Sequence, residues 1–106
     1  MTEAAVYLNE KLAGALTKTN NEEYTFSYDL PYFNDPSAPS ISLTLPKTRR
    51  DHQANELFPF FAGLLAEGDN RRWQQETLNI DPKDDFLLLI RTAGTDTIGA
   101  ITVREW

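Results

Sequence analysis

Few side chains in this chain could carry out catalysis, and its single histidine, His52, is the first to consider. With one histidine and no cysteine in 106 residues, sites with several histidine ligands, thiolate zinc sites and cysteine nucleophiles are excluded. A serine–histidine pair would have to use His52, which lies in the charged run from Arg49 to His52 and resembles a solvated loop. Acid–base catalysis needs partners at defined positions, and the sequence identifies none. We therefore expect a surface or structural histidine.

Two pairs of adjacent acidic residues, Glu22-Glu23 and Asp84-Asp85, are the next candidates for catalysis. A glycosidase needs two carboxyl groups that face each other across a cleft, which sequence neighbours do not resemble. The first pair suits a turn, and the second suits the first turn of a helix, where the helix dipole favours negative charge. No catalytic residue is assigned to either pair.

The segment from Gly94 to Gly99 has the glycine spacing of a phosphate-binding loop. That loop continues with a lysine and a serine or threonine, which bind phosphate and magnesium. Here Ala100 and Ile101 occupy those positions. A turn that ends a helix explains the glycines more simply, and no nucleotide, metal or other cofactor is predicted.

Charge is unevenly distributed along the chain. The net charge of −6 divides into −4 for residues 1–46, +1 for residues 47–72 and −3 for residues 73–106. Affinity for nucleic acid depends on neutralising phosphates, so we expect DNA contact only indirectly, within a larger complex. An acidic membrane surface would repel the chain, and a basic protein partner is the better electrostatic match.

Trp73 is the most informative single residue, because its segment from Asp69 to Glu76 is almost entirely polar. One interpretation is core packing beside Thr77 and Ile80. The other is an exposed anchor flanked by arginines, since tryptophan and arginine are enriched in binding hot spots. Both interpretations stay open at this point. The candidate partner-binding residues are Trp73, Arg71, Arg72, Asp69 and Glu67.

The elements that must position these residues begin with strands. Apolar residues of one parity on both sides of a turn at Asn9-Glu10 predict an opening hairpin. The residues that share this parity are Val6, Leu8, Leu12, Gly14 and Leu16. Alternation predicts three further strands, over residues 24–28, 40–45 and 98–103, and the last must pair with the early strands to bury its apolar face. Prolines between residues 30 and 39 predict a loop.

Three short helices are predicted between the fourth and last strands, because the apolar period changes there to three or four residues. They cover residues 57–65, 70–79 and 82–92. The residues expected at their ends are Pro59 and Gly68 for the first, Asp69 for the second, and Asp81, Pro82 and Gly94 for the third. The order of elements predicts an α+β domain with a small, partly barrel-like antiparallel sheet.

The length predicts a single domain over residues 1–106. The longest mainly apolar stretch, from Leu57 to Ala66, has ten residues, whereas a membrane span needs roughly 17 or more. The N-terminus lacks a basic region followed by an apolar run, so we expect no signal peptide. Together with the absence of cysteine, these features favour a cytoplasmic protein.

Several segments, taken in order, resemble the N-terminal subdomain of the HipA family of bacterial Ser/Thr kinases. The matching segments are Ile41 to Pro46, Phe60 to Gly68, Asp84 to Leu89, and the glycine-bearing stretch from Ala93 to Ala100. Each segment alone is a weak signal, but their order and spacing are fairly specific. The resemblance covers essentially the whole chain, with Ala66 where family members usually carry proline.

The resemblance implies a function. In HipA proteins this subdomain precedes a kinase body, which supplies the nucleotide loop and the catalytic and metal-binding aspartates, and this chain stops before all of them. A separate subdomain is similar to HipS, the small component of tripartite HipBST toxin–antitoxin systems. We therefore expect no enzyme, but an antitoxin that binds and inhibits a HipT-like Ser/Thr kinase.

Two partners follow from the same resemblance. One is the HipT-like kinase, and the other is a HipB-like helix-turn-helix protein through which any DNA is contacted. An alternative function is an architectural subunit, which stabilises the kinase or joins it to the DNA-bound repressor while another component neutralises the kinase.

Overall fold

An open, five-stranded antiparallel sheet is the main element of the fold. The computed structural model describes residues 2–19, 21–93 and 100–106. The elements are β1 (Thr2–Leu8), β2 (Lys11–Lys18), β3 (Tyr24–Tyr28), α1 (Leu30–Phe33), β4 (Asp51–Ala54), α2 (Pro59–Ala62), α3 (Gly68–Leu78), α4 (Asp85–Thr92) and β5 (Ile101–Glu105). The strand order is β4-β3-β2-β1-β5. The predicted α+β class is confirmed, but the sheet does not close into a barrel.

The predicted opening hairpin is confirmed. Asn9 and Glu10 both adopt positive φ, 49° and 69°, as a two-residue turn with the twist of the flanking strands requires. The final strand also pairs with β1, as predicted, through the partners Val6 and Val103. The expected start of that strand at Ile98, like the expected helix end at Gly94, lies outside the described residues.

A β-bulge changes one feature of the predicted hairpin. Val6 pairs with Gly14, but Tyr7 pairs with Leu12, so that Ala13 is the extra residue on β2. A bulge shifts the following residues to the other face of the sheet. Leu12 therefore shares the face of Tyr7, so its common parity with Gly14 does not place it on the face of Val6 and Gly14.

The aromatic face of β3 carries the core. Tyr24, Phe26 and Tyr28 are all buried on the same side of the strand. Phe26 packs on Phe61 of α2 with ring centroids 5.7 Å apart, and Tyr24 packs on Phe86 of α4 at 5.9 Å. Edge-to-face and tilted ring pairs of this kind are favourable in addition to their burial. The three aromatic residues thus fix where the short helices lie on the sheet.

The segment from Ser40 to Leu45 is not the fourth strand, although it has the clearest alternation in the chain. Within the described part of the chain, its only ladder contact is an isolated bridge between Ser42 and Leu45, whose backbone hydrogen bond of 3.1 Å closes a tight turn. Ile41 and Leu45 point into the core, whereas Leu43 is 99% exposed at the tip. A turn with two inward ends therefore produces the same alternation as a strand.

The fourth strand is β4, which contains His52. The pairing of Phe26 with His52 places the imidazole on the core side, where the residue is 5% exposed. Its Nε2 lies 3.0 Å from the carbonyl oxygens of Pro46 and Arg49 and donates to them. The expected solvated loop is therefore wrong at His52, and the histidine is structural.

Two short helices differ from the predictions. A four-residue helix, α1, lies inside the predicted loop because Pro31 is compatible with a first helical turn. The helix predicted over residues 57–65 is reduced to the single turn of α2, which begins at Pro59. Gly68 does not close it, since Gly68, at φ 60°, is already the first residue of α3.

The expected caps of the two longer helices are also displaced. Glu67 rather than Asp69 is the N-cap of α3. Asp84, whose side chain accepts from the Leu87 amide at 3.0 Å, caps α4 in place of Asp81. Asp81 instead accepts from the Lys83 amide at 2.8 Å. This local turn delays the start of the helix past the predicted first residue.

Candidate partner-binding surface

Helix α3 contains four of the five candidate residues and buries none of its own side chains. Trp73 is 66% exposed, which identifies it as a surface side chain rather than a core residue. Ile80, the neighbour expected beside it in the core, is buried beyond the end of the helix. Of the two interpretations left open by the sequence, the exposed anchor fits this placement.

The C-terminal end of α3 is fixed by a Schellman motif. Asn79 adopts the left-handed conformation, at φ 56° and ψ 50°. The Ile80 amide donates to the Gln75 carbonyl at 2.9 Å, and the Asn79 amide donates to the Glu76 carbonyl at 3.4 Å. These bonds satisfy two carbonyls that the helix leaves unpaired. Because Ile80 is buried, the motif attaches this end of the helix to the core.

Arg71 attaches the other half of α3 to α4. Its guanidinium forms an ion pair with Asp85 in the first turn of α4 and lies 3.4 Å from the carbonyl of Pro82. The Arg71 side chain is accordingly half-buried. Arg71 is thus engaged within the chain, where it holds helix α3 against α4.

The remaining candidates lie on the surface. Arg72 and Asp69 are exposed side chains one turn apart, with their charged atoms 3.9 Å from each other. Pairs of this kind contribute little to stability, so both groups are available to a partner. Glu67 is also exposed, at the N-cap. The structure places these three at or near the start of α3.

A groove lined by both apolar and polar side chains lies beside Trp73, between α3, the segment before it and the end of α4. We call it the α3 groove. Its volume is about 520 Å³. Its lining includes the apolar residues Leu64, Leu65, Ala66, Trp73 and Leu78, together with polar residues of both helices, among them Gln74, Arg91 and Thr92. Of the five candidate residues, only Trp73 lines this groove. Sequence reasoning therefore identified Trp73 and missed the other residues that line the groove.

Sequence reasoning missed several residues of the α3 groove, and two of them follow a recognisable helical spacing. Gln74 and Leu78 lie one helical turn apart and line the same groove, a spacing that places side chains on one helix face. The Gln74 Oε1 is buried and has no hydrogen-bond partner among the described residues. Arg91 comes from α4, so only the packing of two helices brings it to this site.

The residues first considered for catalysis have structural positions in the described ranges. Residues 2–19, 21–93 and 100–106 contain no cluster of histidine, cysteine, aspartate or glutamate that could hold a metal ion. Glu22, at φ 60°, lies in a turn, and Asp84 and Asp85 begin α4, as predicted. The glycine segment from Gly94 to Gly99 lies outside the described residues. No helix within the described ranges has the length and apolar character to cross a bilayer.

Comparison with known proteins shows a match over nearly the whole chain. Residues 4–104 match the HipA N-terminal domain family. A solved structure described as the N-terminal domain of HipA toxin superposes with a TM-score of 0.73 at 24% identity, covering 100% of this chain and 93% of that one. The HipA, HipB and operator DNA complex from Shewanella oneidensis MR-1 contains a chain with TM-score 0.75 and 25% identity, covering 95% of this chain and 23% of that chain.

Two relatives with known sequences differ greatly in length. The putative kinase Y4mE from Sinorhizobium fredii is 31% identical over 96 residues, which are 91% of this chain. This chain spans only 23% of that kinase. An uncharacterized protein from Haemophilus influenzae is 29% identical over 100 residues, which are 94% of this chain and 89% of that protein.

Proposed function

This chain belongs to the HipA N-terminal domain family, and from that premise we propose that it is the antitoxin of a HipBST-type system. In this proposal it binds a separate HipA-like Ser/Thr kinase, as HipS is expected to bind HipT, and inhibits it. The chain itself catalyses no reaction. It reaches DNA only through a HipB-like helix-turn-helix protein in the cytoplasm.

The lengths of the relatives support a separate subdomain. The same domain matches about a quarter of the kinase Y4mE and most of the Haemophilus protein. When such a domain and its kinase body are two polypeptides, the packing surface between them becomes an intermolecular interface. That interface must retain apolar anchors, because association has to overcome the loss of translational and rotational freedom.

The observation that carries the proposal is the exposure of Trp73 beside the α3 groove. An indole at 66% exposure next to Leu64 and Leu78 is an apolar patch of the kind that marks protein interaction sites. Arg72, Asp69 and Glu67 would form its polar rim. We infer that Trp73 is the central anchor, since buried tryptophans in interfaces are frequent hot spots.

Inhibition requires only a preference for one conformation of the kinase. A ligand shifts a conformational equilibrium by its differential affinity for the two states. If α3 binds the form in which the kinase is inactive, the catalytic groups of the kinase need not be covered. This mechanism places no demand for acid–base or metal chemistry on the antitoxin.

A matched pair of tryptophan variants tests the proposal. Trp106 is 61% exposed, close to the value for Trp73, so Trp106→Ala removes an indole of similar exposure elsewhere. We expect Trp73→Ala to weaken kinase binding by about 30-fold or more, the effect of a hot spot, and to abolish inhibition of autophosphorylation. Trp106→Ala should retain both. Equal inhibition by wild type and Trp73→Ala would contradict the assignment.

The architectural alternative is favoured by the structural similarity to a chain in a complex of HipA, HipB and operator DNA. In that function the chain joins the kinase to a repressor and does not neutralise it. Co-expression separates the two functions. Rescue of cells by this chain alone supports the antitoxin, whereas rescue only by the HipB-like protein supports the architectural subunit.

A further inference from the structure

A second exposed apolar side chain lies on the turn from Ser40 to Lys47, which we call the 40–47 turn. Leu43 at its tip is 99% exposed, whereas Ile41 and Leu45 on either side are buried at 8% and 2%. Scattered exposed leucines are ordinary on protein surfaces. This one differs because the backbone that presents it is held by buried hydrogen bonds.

The Tyr28 hydroxyl holds both sides of the 40–47 turn. It accepts from the Ile41 amide at 3.0 Å and donates to the Leu45 carbonyl. The Leu45 amide also donates to the Ser42 carbonyl at 3.1 Å, which closes the turn across its tip. Since the Tyr28 side chain is fully buried, water cannot replace these bonds without opening the core.

The base of the 40–47 turn is held equally closely. The Lys47 amide donates to the Ser40 Oγ at 2.9 Å. The Lys47 ammonium donates to the carbonyls of Asp35 and Ala38, at 2.6 and 2.7 Å. Leu43 is therefore presented on a backbone that is ordered before any partner binds. A preorganised contact loses less conformational entropy on association than a flexible one.

The charge beside the 40–47 turn indicates the chemistry of its partner. Arg49 and Arg50 lie two and three residues after Lys47 and are exposed. The Arg50 Nε donates to the Tyr28 carbonyl at 2.8 Å, but neither guanidinium forms an ion pair within residues 2–19, 21–93 and 100–106. They belong to the part of the sequence with net charge +1, while the flanking parts carry −4 and −3. A matching surface has an apolar pocket with an acidic rim.

We propose that the 40–47 turn is a second docking element for the same kinase, with Leu43 entering an apolar pocket whose rim is acidic. This inference rests on the proposed function, because the kinase is the partner. The α3 groove of a second copy does not match, because its lining includes Arg91 and no carboxylate, and contact with another part of a second copy is an outcome of the test below. The kinase contact therefore has two anchors, Trp73 on α3 and Leu43 on the turn.

Calorimetry with the purified kinase tests this inference through four proteins: wild type, Leu43→Ser, Leu30→Ser and Trp73→Ala. Leu30 is 50% exposed on α1 and serves as the matched leucine control. We expect Leu43→Ser to raise Kd about ten-fold or more, the effect of losing one buried leucine, with an unchanged melting temperature. Leu30→Ser should stay within about two-fold of wild type.

The outcomes distinguish failure of this inference from failure of the proposed function. If Trp73→Ala weakens binding while Leu43→Ser binds like wild type, the second anchor is wrong and the proposed function stands. If wild type does not bind the kinase, both are wrong. Sedimentation of the chain alone gives a further check, since a change of oligomeric state in Leu43→Ser would assign Leu43 to contacts between copies and overturn the inference.

Discussion

The 40–47 turn and helix α3 both display a large apolar side chain, but the chain holds them in opposite ways. The turn has no regular secondary structure, yet the buried hydroxyl of Tyr28 bonds to both of its sides. Helix α3 is regular but buries no side chain of its own. It is attached by Ile80 at its end and by the ion pair of Arg71 with Asp85. Regular backbone and firm attachment are thus separate properties in this molecule.

The two kinds of attachment have a functional consequence. A side chain on a firmly held turn offers one fixed geometry, as Leu43 does, and suits a preformed pocket. A helix with few buried contacts belongs to the less stable parts of a structure and can adjust its position on a partner, as we expect for Trp73. One interface that uses both would combine a fixed point with an adaptable one.

The largest expected effect comes from removing the hydroxyl that holds the turn. Tyr28→Phe leaves the Ile41 amide and the Leu45 carbonyl without their partner, and each unsatisfied buried group costs about 1–3 kcal/mol. We expect a loss of about 2–4 kcal/mol in urea unfolding. Tyr7→Phe on the opposite face is the control and should change stability by less than about 0.5 kcal/mol. Equal stability of both variants would show that the turn is not held by Tyr28.

The next largest loss of stability is expected from substituting Gly14, a glycine of strand β2. A Cβ at Gly14 would clash with the Ser27 carbonyl oxygen and lie 2.8 Å from the Phe26 ring. Since a backbone atom cannot move aside cheaply, Gly14→Ala should destabilise the fold by about 1–3 kcal/mol in thermal unfolding. Gly63→Ala is the control, because its nearest contacts are 3.4 Å away. A neutral Gly14→Ala would mean that β2 and β3 can separate without loss.

We expect weakening of the attachment of α3 to α4 to lower the free energy of unfolding by less than the two changes above. Arg71→Ala removes the ion pair with Asp85, and partly exposed pairs contribute about 0.2–1 kcal/mol. We expect little change in global stability but faster amide hydrogen exchange across residues 68–78. Arg72→Ala, whose pair with Asp69 spans 3.9 Å between exposed groups, is the matched arginine control. Unchanged exchange in Arg71→Ala would show that Ile80 alone attaches the helix.

Alkaline pH should act on the turn through the same tyrosine. Burial raises the pKa of Tyr28 above its ordinary value of 10.0. Because the folded-state pKa is the higher one, the stability from Tyr28 is complete below about pH 10 and is lost as pH rises through the folded-state pKa. Unfolding in urea between pH 8 and 11 should therefore show a smaller decline in Tyr28→Phe than in wild type. An identical decline in both proteins would mean that Tyr24 and Tyr32 cause the loss of stability at alkaline pH, since burial also raises their pKa values.

The smallest expected effect is at acidic pH. Hydrogen bonds from Ser37 and Lys11 hold the pKa of Asp35 below its ordinary value of 3.8. The resulting stability is present at neutral pH and decreases as pH falls below that ordinary value. Since the Lys11 contact is exposed, we expect only a slight flattening of the acid limb in Asp35→Asn. A steeper acid limb in that variant would contradict the assignment.

Predictions from the sequence succeeded where a feature depends on neighbouring residues. The hairpin at Asn9-Glu10, the aromatic strand from Tyr24 to Tyr28 and the helix that contains Phe86 all follow from local period and turn chemistry. Some predictions failed for local reasons, such as the turn at Asp81 that displaces a helix cap, and others failed because a distant group decides the outcome. The alternation from Ser40 to Leu45 predicted a strand. The segment is instead held as a turn by the hydroxyl of Tyr28, which is far away in sequence.

The features of the candidate site likewise divide into those that the sequence could predict and those that required the tertiary structure. Trp73 was identifiable because a tryptophan in a polar segment is unusual, but its exposure was decided only when α3 formed without burying a side chain. The pairing of Arg71 with Asp85 and the arrival of Arg91 at the α3 groove each require two helices to meet.

The amino-acid sequence by itself determined the α+β class, the family and the lack of a histidine or cysteine cluster for catalysis, because residue types and local spacing suffice for these. Only the tertiary structure decided that residues 40–45 form a turn, that His52 is buried, and which groups surround Trp73. Those outcomes depend on contacts between residues far apart in the chain, and local pattern carries no information about such contacts.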